Sequence, residues 1–382
     1  MIPNILILRF PYTSSLGGTE KHTLELFLKL KQRRTKFFLV TSCPILYNEF
    51  KKRNWPARKA WGNREPVTVF RVLAFPLLAP LIFFRLLPLL FYYRFSQKTE
   101  ILYCLSLTEK LILTLPAWLL GYKVFWIEHV VAGRWLRLNP FRPLYILNSY
   151  FAKIITVSEA VKNQLIKLGA RKKNIKIIYN GIDIEESERQ ADIFQNLAQP
   201  SKISYKPFTV GTICRLHKEK GVEYLLKAIK IALEFIPSLQ LIVIGDGPEK
   251  KNLIWLAKKL EISGRVKFVG FQEDTIKWIN SFEIFILPSI KKEAFGMVLL
   301  EAMARAKPVV ATRVEGIPEV VFDQKTGVLV EPQNSEAIAD AIIYLFSQPS
   351  VRKEMGENGK KRVEEFFALD RMVDEYYNEF KK

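Results

Sequence analysis

Residues Leu287 to Thr312, LPSIKKEAFGMVLLEAMARAKPVVAT, constrain the fold of this chain more than any other stretch. Phe285-Ile286-Leu287 closes an apolar run that reads as a buried strand. A short polar loop follows, then a helical pattern in which Val298, Leu299, Ala302 and Met303 can share a buried face, then Pro308-Val309-Val310-Ala311 as the next strand. Strand, helix and strand in that order form a βαβ unit, which calls for a parallel sheet covered by helices. Glu293 lies in the loop, Glu301 lies eight residues on inside the helix, and Phe295-Gly296 marks the helix start between them. Ligands of open α/β sheets collect outside the carboxyl ends of strands, and helix N-termini there offer free N–H groups to anions. The stretch therefore suits a phosphate with a carboxylate on either side to accept hydroxyl hydrogens. The plainer alternative is a pair of solvated surface glutamates.

Further short apolar runs repeat the alternation. Asn4–Leu8 leads to Gly17-Gly18-Thr19-Glu20 and a helical pattern through Leu24, Phe27, Leu28 and Leu30. A Gly-Gly turn there lets the backbone approach a ligand closely, or serves as a tight turn capping the helix. Glu100–Cys104 is a strand, and Leu111–Leu120 a helix ending at Gly121. Lys123–Ile127 is a buried strand that delivers Glu128-His129 at its end, a place where a histidine serves either structure or chemistry. Ile154–Ser158 is a strand with Ser158 as N-cap of the next helix, and Ile175–Tyr179 runs into the turn Asn180-Gly181. Ile184 to Lys206 is polar and without apolar period, which reads as a linker. Thr209–Ile213 then opens a second sheet, with Arg215 and Lys220 at its strand-to-helix junction, two cations that either neutralise a departing diphosphate or are solvated basic residues of a loop. Leu239–Ile244 ends in the turn Gly245-Asp246-Gly247-Pro248. The last helix is expected from Arg362 to Phe380.

Glu-x7-Glu with Phe-Gly between, Pro-Val-Val-Ala after it, the Gly-Gly-x-Glu loop, Asn-Gly-Ile-Asp, Arg215 with Lys220-Gly221 and Gly-x-Gly-Pro together resemble the retaining nucleotide-sugar glycosyltransferases of the GT-B fold, the family-four type or glycosyl transferases group 1. The resemblance runs over nearly the whole chain. It implies two Rossmann-like α/β domains with mostly parallel sheets facing across a cleft. On the boundaries read here these are an acceptor domain over 1–183, a linker over 184–206, a donor domain over 207–361, and a helix over 362–382 crossing back to the first domain. It also implies roles. Glu301 would hold ribose hydroxyls, Glu293 the donor sugar hydroxyls, and Arg215 with Lys220 the diphosphate. Gly17, Gly18, Gly245, Gly247, Phe295 and Gly296 would line the donor, with Glu20 on the acceptor side and His129 beside the donor sugar. Front-face attack is implied, the leaving phosphate taking the acceptor's proton. The donor is a UDP- or GDP-sugar, and no cofactor is expected.

Composition supplies the partners. With 382 residues, 49% hydrophobic and 25% charged, the chain has room for two folded domains. Cys43, Cys104 and Cys214 are odd in number and far apart, giving neither a disulfide framework nor a metal spacing. No Asp-x-Asp occurs in the loops, so no metal site is expected. MIPNILILRF lacks a basic n-region and reads as a strand instead of a signal peptide, which with the thiols points to the cytoplasm. Residues 1–183 hold 29 Lys+Arg against 9 Asp+Glu, and the remainder 29 of each, so the whole net charge of +20 sits in the first half. Val72 to Phe95 is nearly bilayer-length but carries Arg85, Pro76, Pro80 and Pro88, which reads as a segment lying on an anionic membrane surface, or as an internal helix pair. Peripheral association with the inner membrane face and a glycan or lipid-linked acceptor follow. A nucleic-acid partner is not expected, for want of an aromatic-basic recognition motif. A GT-B-like enzyme of other chemistry on sugar nucleotides, or a basic nucleic-acid-binding protein, is the alternative.

Overall fold

The computed structural model describes residues 2–10, 17–60, 65–129, 134–184 and 207–382. From residue 185 onward the expected linker lies outside the described residues. The chain forms two compact units, Met1–Asn180 with Asp370–Lys382, and Gly181–Leu369.

The first unit is built on seven strands: β1 Asn4–Arg9, β2 Phe37–Thr41, β3 Ala57–Lys59, β4 Thr99–Cys104, β5 Lys123–Glu128, β6 Ala152–Thr156 and β7 Ile175–Ile177. They lie in the order β3-β2-β1-β4-β5-β6-β7, every pair parallel. The second unit holds β8 Phe208–Ile213, β9 Leu239–Ile244, β10 Val266–Gly270, β11 Ile284–Leu287, β12 Val309–Thr312 and β13 Gly327–Val330, in the order β10-β9-β8-β11-β12-β13, again all parallel. Helices cover both faces of such sheets, so central strands read as unbroken apolar runs. Ile5–Leu8 and Ile284–Leu287 are buried throughout. In each sheet the chain starts in the middle, winds to one edge, then returns and winds to the other. The reversals fall between β1 and β4 and between β8 and β11, the places where doubly wound sheets hold ligands.

Local signals decide several helix ends. The Ser158 hydroxyl accepts from the Val161 amide at 3.3 Å, and the helix Glu159–Leu168 stops at Gly169 with φ +112°. Gly121, φ +80°, follows Thr114–Leu119, but the helix expected over Leu111–Leu120 is in fact two short ones, Leu107–Ile112 and Thr114–Leu119. The last helix also differs from expectation. Pro349–Phe366 and Leu369–Lys381 are separate, because Ile182 takes the backbone groups at their joint: its N–H donates to the Phe367 carbonyl at 3.0 Å and its carbonyl accepts from Leu369 at 2.9 Å. A Cβ on Gly181 would come within 2.6 Å of the Ala368 carbonyl oxygen, so only glycine fits there. These contacts put Gly181–Asp183 in the second unit, whereas the sequence reading ends the first domain at Asp183. Tyr376 and Phe380 of the final helix are buried in the first unit, Phe380 with its ring 5.0 Å from Phe125 and 6.2 Å from Tyr103. The apolar segment read as proline-broken is one continuous helix, Val69–Phe91, extended by a wide turn at Tyr92–Ser96.

Candidate active site

In the second unit the loops after β8 and β11 meet at the sheet's reversal. The loop after β8 makes one tight turn, Lys218–Lys220, and leaves it through Gly221 at φ +64°. A Cβ there would lie 2.1 Å from the Pro288 carbonyl oxygen, so glycine is what lets the two loops touch. Across this contact Lys220 Nζ donates to Glu293 Oε2 at 2.5 Å, with both side chains 13% exposed. The buried Ser289 hydroxyl donates to the same oxygen at 3.0 Å. The Glu293 loop is fastened on every side. Ile290 N–H donates to Glu219 O at 2.8 Å, Lys292 pairs with the Glu219 carboxylate at 3.1 Å, and Gly316 N–H donates to Glu293 O at 3.0 Å. Thr312 Oγ1 donates to the Ser289 carbonyl.

Arg215 is exposed on the same β8 loop as Lys220. Its loop is braced by the glycine turn after β9, since Leu216 N–H donates to Asp246 O at 2.9 Å and Glu249 N–H to Leu216 O at 3.0 Å. A Cβ on Gly245 would meet the Cys214 carbonyl oxygen at 1.9 Å, and one on Gly247 the Leu216 carbonyl oxygen at 2.4 Å. Cys214 itself is held as a thiol, its pKa pushed up to about 11 by burial. Past β11, Gly296 (φ +88°) starts the short helix Met297–Met303, whose buried face is Leu299, Leu300, Ala302 and Met303, with Val298 only half-buried. Glu301 accepts from the Thr275 hydroxyl at 3.3 Å, and Arg305 one turn on donates to its carbonyl at 3.0 Å. Phe295 is 2% exposed with its ring 5.6 Å from Phe367, so any contact it makes with a donor comes from its backbone.

In the first unit the reversal between β1 and β4 is bridged by Arg9. It donates to the Ser106 hydroxyl at 3.1 Å and to Glu20 Oε1 at 2.7 Å. Glu20 Oε2 accepts the Gly17 amide at 3.2 Å. Gly17 and Gly18 are exposed, whereas Glu20 is buried and its carboxylate is committed to the loop. One strand over, Glu128 at the end of β5 accepts from Lys110 Nζ and from the Tyr145 hydroxyl, each at 2.7 Å. His129 follows, its ring edge-on to His22 with centroids 4.5 Å apart. The buried Nε2 of His129 and both ring nitrogens of His22 find no hydrogen-bond partner among the described residues. Burial without an acceptor disfavours the imidazolium. His22 is driven down to about 3, and His129 well below its ordinary value by burial and then by His22, Lys110 and Arg9. In the same unit Glu109 accepts the Leu105 amide at 3.0 Å, and burial pushes its carboxyl up to about 8.

Residues 16–186 match the model of Glycosyltransferase Family 4 and residues 194–362 that of Glycosyl transferases group 1. The chain belongs to the group 1 glycosyltransferases. Among relatives of the chain is N-acetyl-alpha-D-glucosaminyl L-malate synthase of Bacillus anthracis, 34% identical over 58% of the chain and 58% of that protein. The capsular polysaccharide biosynthesis glycosyltransferase CapM of Staphylococcus aureus is 30% identical over 60% of the chain and 62% of that protein. The chain thus spans about three fifths of the length of these relatives. Of solved structures, Anabaena HepE in complex with UDP superposes with a TM-score of 0.80 at 20% identity, covering 98% of both chains. A glycosyltransferase from Rickettsia africae does so with 0.79 at 22%, covering 99% of this chain and 98% of that one. These likenesses are of fold, and the fold is GT-B.

Among the residues singled out from sequence, the glycosyltransferase fold brings Lys220 and Glu293 into one ion pair, although they were assigned to different parts of the donor. Glu301 stands apart with Thr275, and Arg215 stands exposed. Glu20 and His129 belong to the first unit. Sequence reasoning missed Arg9, His22, Lys110 and Ser289. Arg9 had one usable signal, a charge ending an otherwise apolar first strand. Lys110 sits in the apolar run LTEKLILTL and nothing in that pattern marks it as buried and paired.

Proposed function

We propose that the chain is a retaining hexosyltransferase that moves a sugar from a UDP- or GDP-sugar to a hydroxyl of a glycan or lipid-linked acceptor, in the cytoplasm and with no metal or cofactor. The observation that carries the reading is the Lys220–Glu293 pair with Ser289 at the reversal of the second sheet, beside the exposed Arg215. Support for a nucleotide donor comes from the UDP and UDP-glucose complexes of HepE, and for an envelope-type glycan from the name of CapM. Retention and the unit roles rest on the family resemblance.

In this reading the second unit holds the donor. Lys220 and Arg215 turn to the oxygens of the diphosphate and neutralise the charge that develops there as the bond breaks, a charge present mainly in the transition state and leaving group. Glu293, released from Lys220, accepts hydroxyl hydrogens of the sugar, and Glu301 those of the ribose. The bond from the anomeric carbon to the phosphate oxygen breaks while the acceptor oxygen bonds that carbon on the same face. The acceptor's proton passes to the departing phosphate oxygen. His129, whose imidazolium is disfavoured by burial, offers a hydrogen bond and moves no proton.

A screen of nucleotide sugars for hydrolysis, with mass analysis of the product, identifies the donor. With it, Glu301→Ala is expected to raise KM and Glu293→Ala to lower kcat. Wild-type kinetics in both variants reject the site. NMR of the product should show the donor's anomeric configuration, and inversion would reject the mechanism while leaving the site standing.

A further inference from the structure

The Val69–Phe91 helix is divided lengthwise. Phe75, Ile82, Leu86 and Leu90 form a buried stripe against the first unit, where the Phe75 ring lies 4.8 Å from Phe141 and the Leu90 carbonyl accepts the Tyr122 hydroxyl at 2.9 Å. On the opposite face Phe70, Leu73, Leu77, Leu81 and Phe84 follow the same three- and four-residue spacing and are 81, 72, 83, 44 and 69% exposed. Single exposed hydrophobics are ordinary, whereas a contiguous apolar stripe marks an interface.

We propose that this stripe is a docking surface for an anionic lipid bilayer, in which the helix lies along the headgroup boundary without crossing it. Charge selects the occupant. The net charge of +20 lies wholly within residues 1–183. Arg85 is exposed beside the stripe, with Lys98 and Lys123 exposed past the helix's end. A second copy seated on the same face by two-fold symmetry would bring two basic rims together, whereas an anionic leaflet attracts them.

The prolines set the depth. Pro76, Pro80 and Pro88 all lie on the exposed side. Each removes one amide, so the carbonyls of Val72, Pro76 and Phe84 lack the donor four residues on. In hydrocarbon an unsatisfied carbonyl costs several kcal/mol, but water among the headgroups supplies the missing bond. The helix is long and apolar enough to span a bilayer by length and composition, yet spanning would strip the packed stripe from its unit and put those carbonyls and Arg85 in hydrocarbon. The apolar surface also continues past the helix. Arg94 Nε donates to the Leu120 carbonyl at 3.0 Å, next to Trp118 and Leu119, which are 48 and 69% exposed. A half-exposed tryptophan belongs at a lipid–water boundary.

The proposal rests on this helix and the charge distribution, independently of the transferase reading. It is tested by co-sedimenting the full chain with phosphatidylcholine vesicles, with and without phosphatidylglycerol, at low and high salt and with no sugar present. Binding is expected to the anionic vesicles only, weakened by salt. The triple variant Phe70→Ser, Leu77→Ser, Phe84→Ser should bind about tenfold or more weakly with an unchanged thermal melt, as its targets are exposed. Arg85→Glu should weaken binding to anionic vesicles. Equal partition to both vesicle types, partition to neither, or normal binding by the folded triple variant overturns the proposal. So does a dimer in light scattering that the triple variant dissociates, with no vesicle binding, since the face would then belong to a second copy.

Discussion

Lys220 and Glu293 show why a residue's neighbours matter more than its type. Each is a half-buried charge, and each has the other as its nearest counter-ion. Removing one leaves its partner unbalanced at low exposure, so a single truncation mixes lost ligand contacts with a stranded charge. Arg215, exposed, lacks that complication. Calorimetry with UDP and GDP should show Arg215→Ala and Lys220→Ala each weakening the nucleotide that binds by about 1.5–3 kcal/mol. Lys220→Ala should also be rescued in stability, though not in binding, by adding Glu293→Gln, because that removes the stranded carboxylate. Unchanged affinity in both single variants would detach the two cations from the diphosphate.

At the scale of elements, the helix Leu369–Lys381 belongs to the core of a unit from which it is far removed in sequence. Phe380 and Tyr376 are both fully buried, among Phe125, Tyr103 and His22. Phe380→Ala should cost about 3–5 kcal/mol, the range for deleting a buried ring. Urea unfolding followed by near-UV circular dichroism would check it, and a loss below about 1 kcal/mol would mean that the helix caps its unit without anchoring it. The amphipathic period through Met372, Tyr376 and Phe380 was legible in the sequence. The break at Phe367–Ala368 was not, since it depends on Ile182 arriving from nearly two hundred residues away to bond both sides of the joint.

For the whole molecule, buried titratable groups set how stability varies with pH. His22 and His129 stay neutral when folded but titrate near 6.5 when unfolded. Below that pH the unfolded chain binds protons that the fold refuses, so stability present above about 6.5 falls as pH drops, for His22 down to about 3. Each histidine contributes a slope of about 1.4 kcal/mol per pH unit. Glu109 acts oppositely. Its folded pKa of about 8 lies above the unfolded value, so the fold keeps a proton that the unfolded chain has lost, and stability declines as pH rises from its ordinary value to about 8. Urea midpoints should therefore fall less between pH 6.5 and 5 in His22→Phe than in wild type, and less between pH 6.5 and 8 in Glu109→Gln. Parallel curves for both variants and wild type would refute the burial argument. By itself the sequence determined the alternation of strands and helices, the family, and the list of loop residues at strand ends, because periodicity, glycine turns and motif spacing act over a few residues. Only the tertiary structure decided which loop residues meet. Strand order brings together Lys220 and Glu293, 73 residues apart, and Arg9 and Ser106, 97 apart. It also sets His22 against His129, and it decides which face of the Val69–Phe91 helix is left uncovered, since burial is a property of what packs against a residue and not of the residue alone.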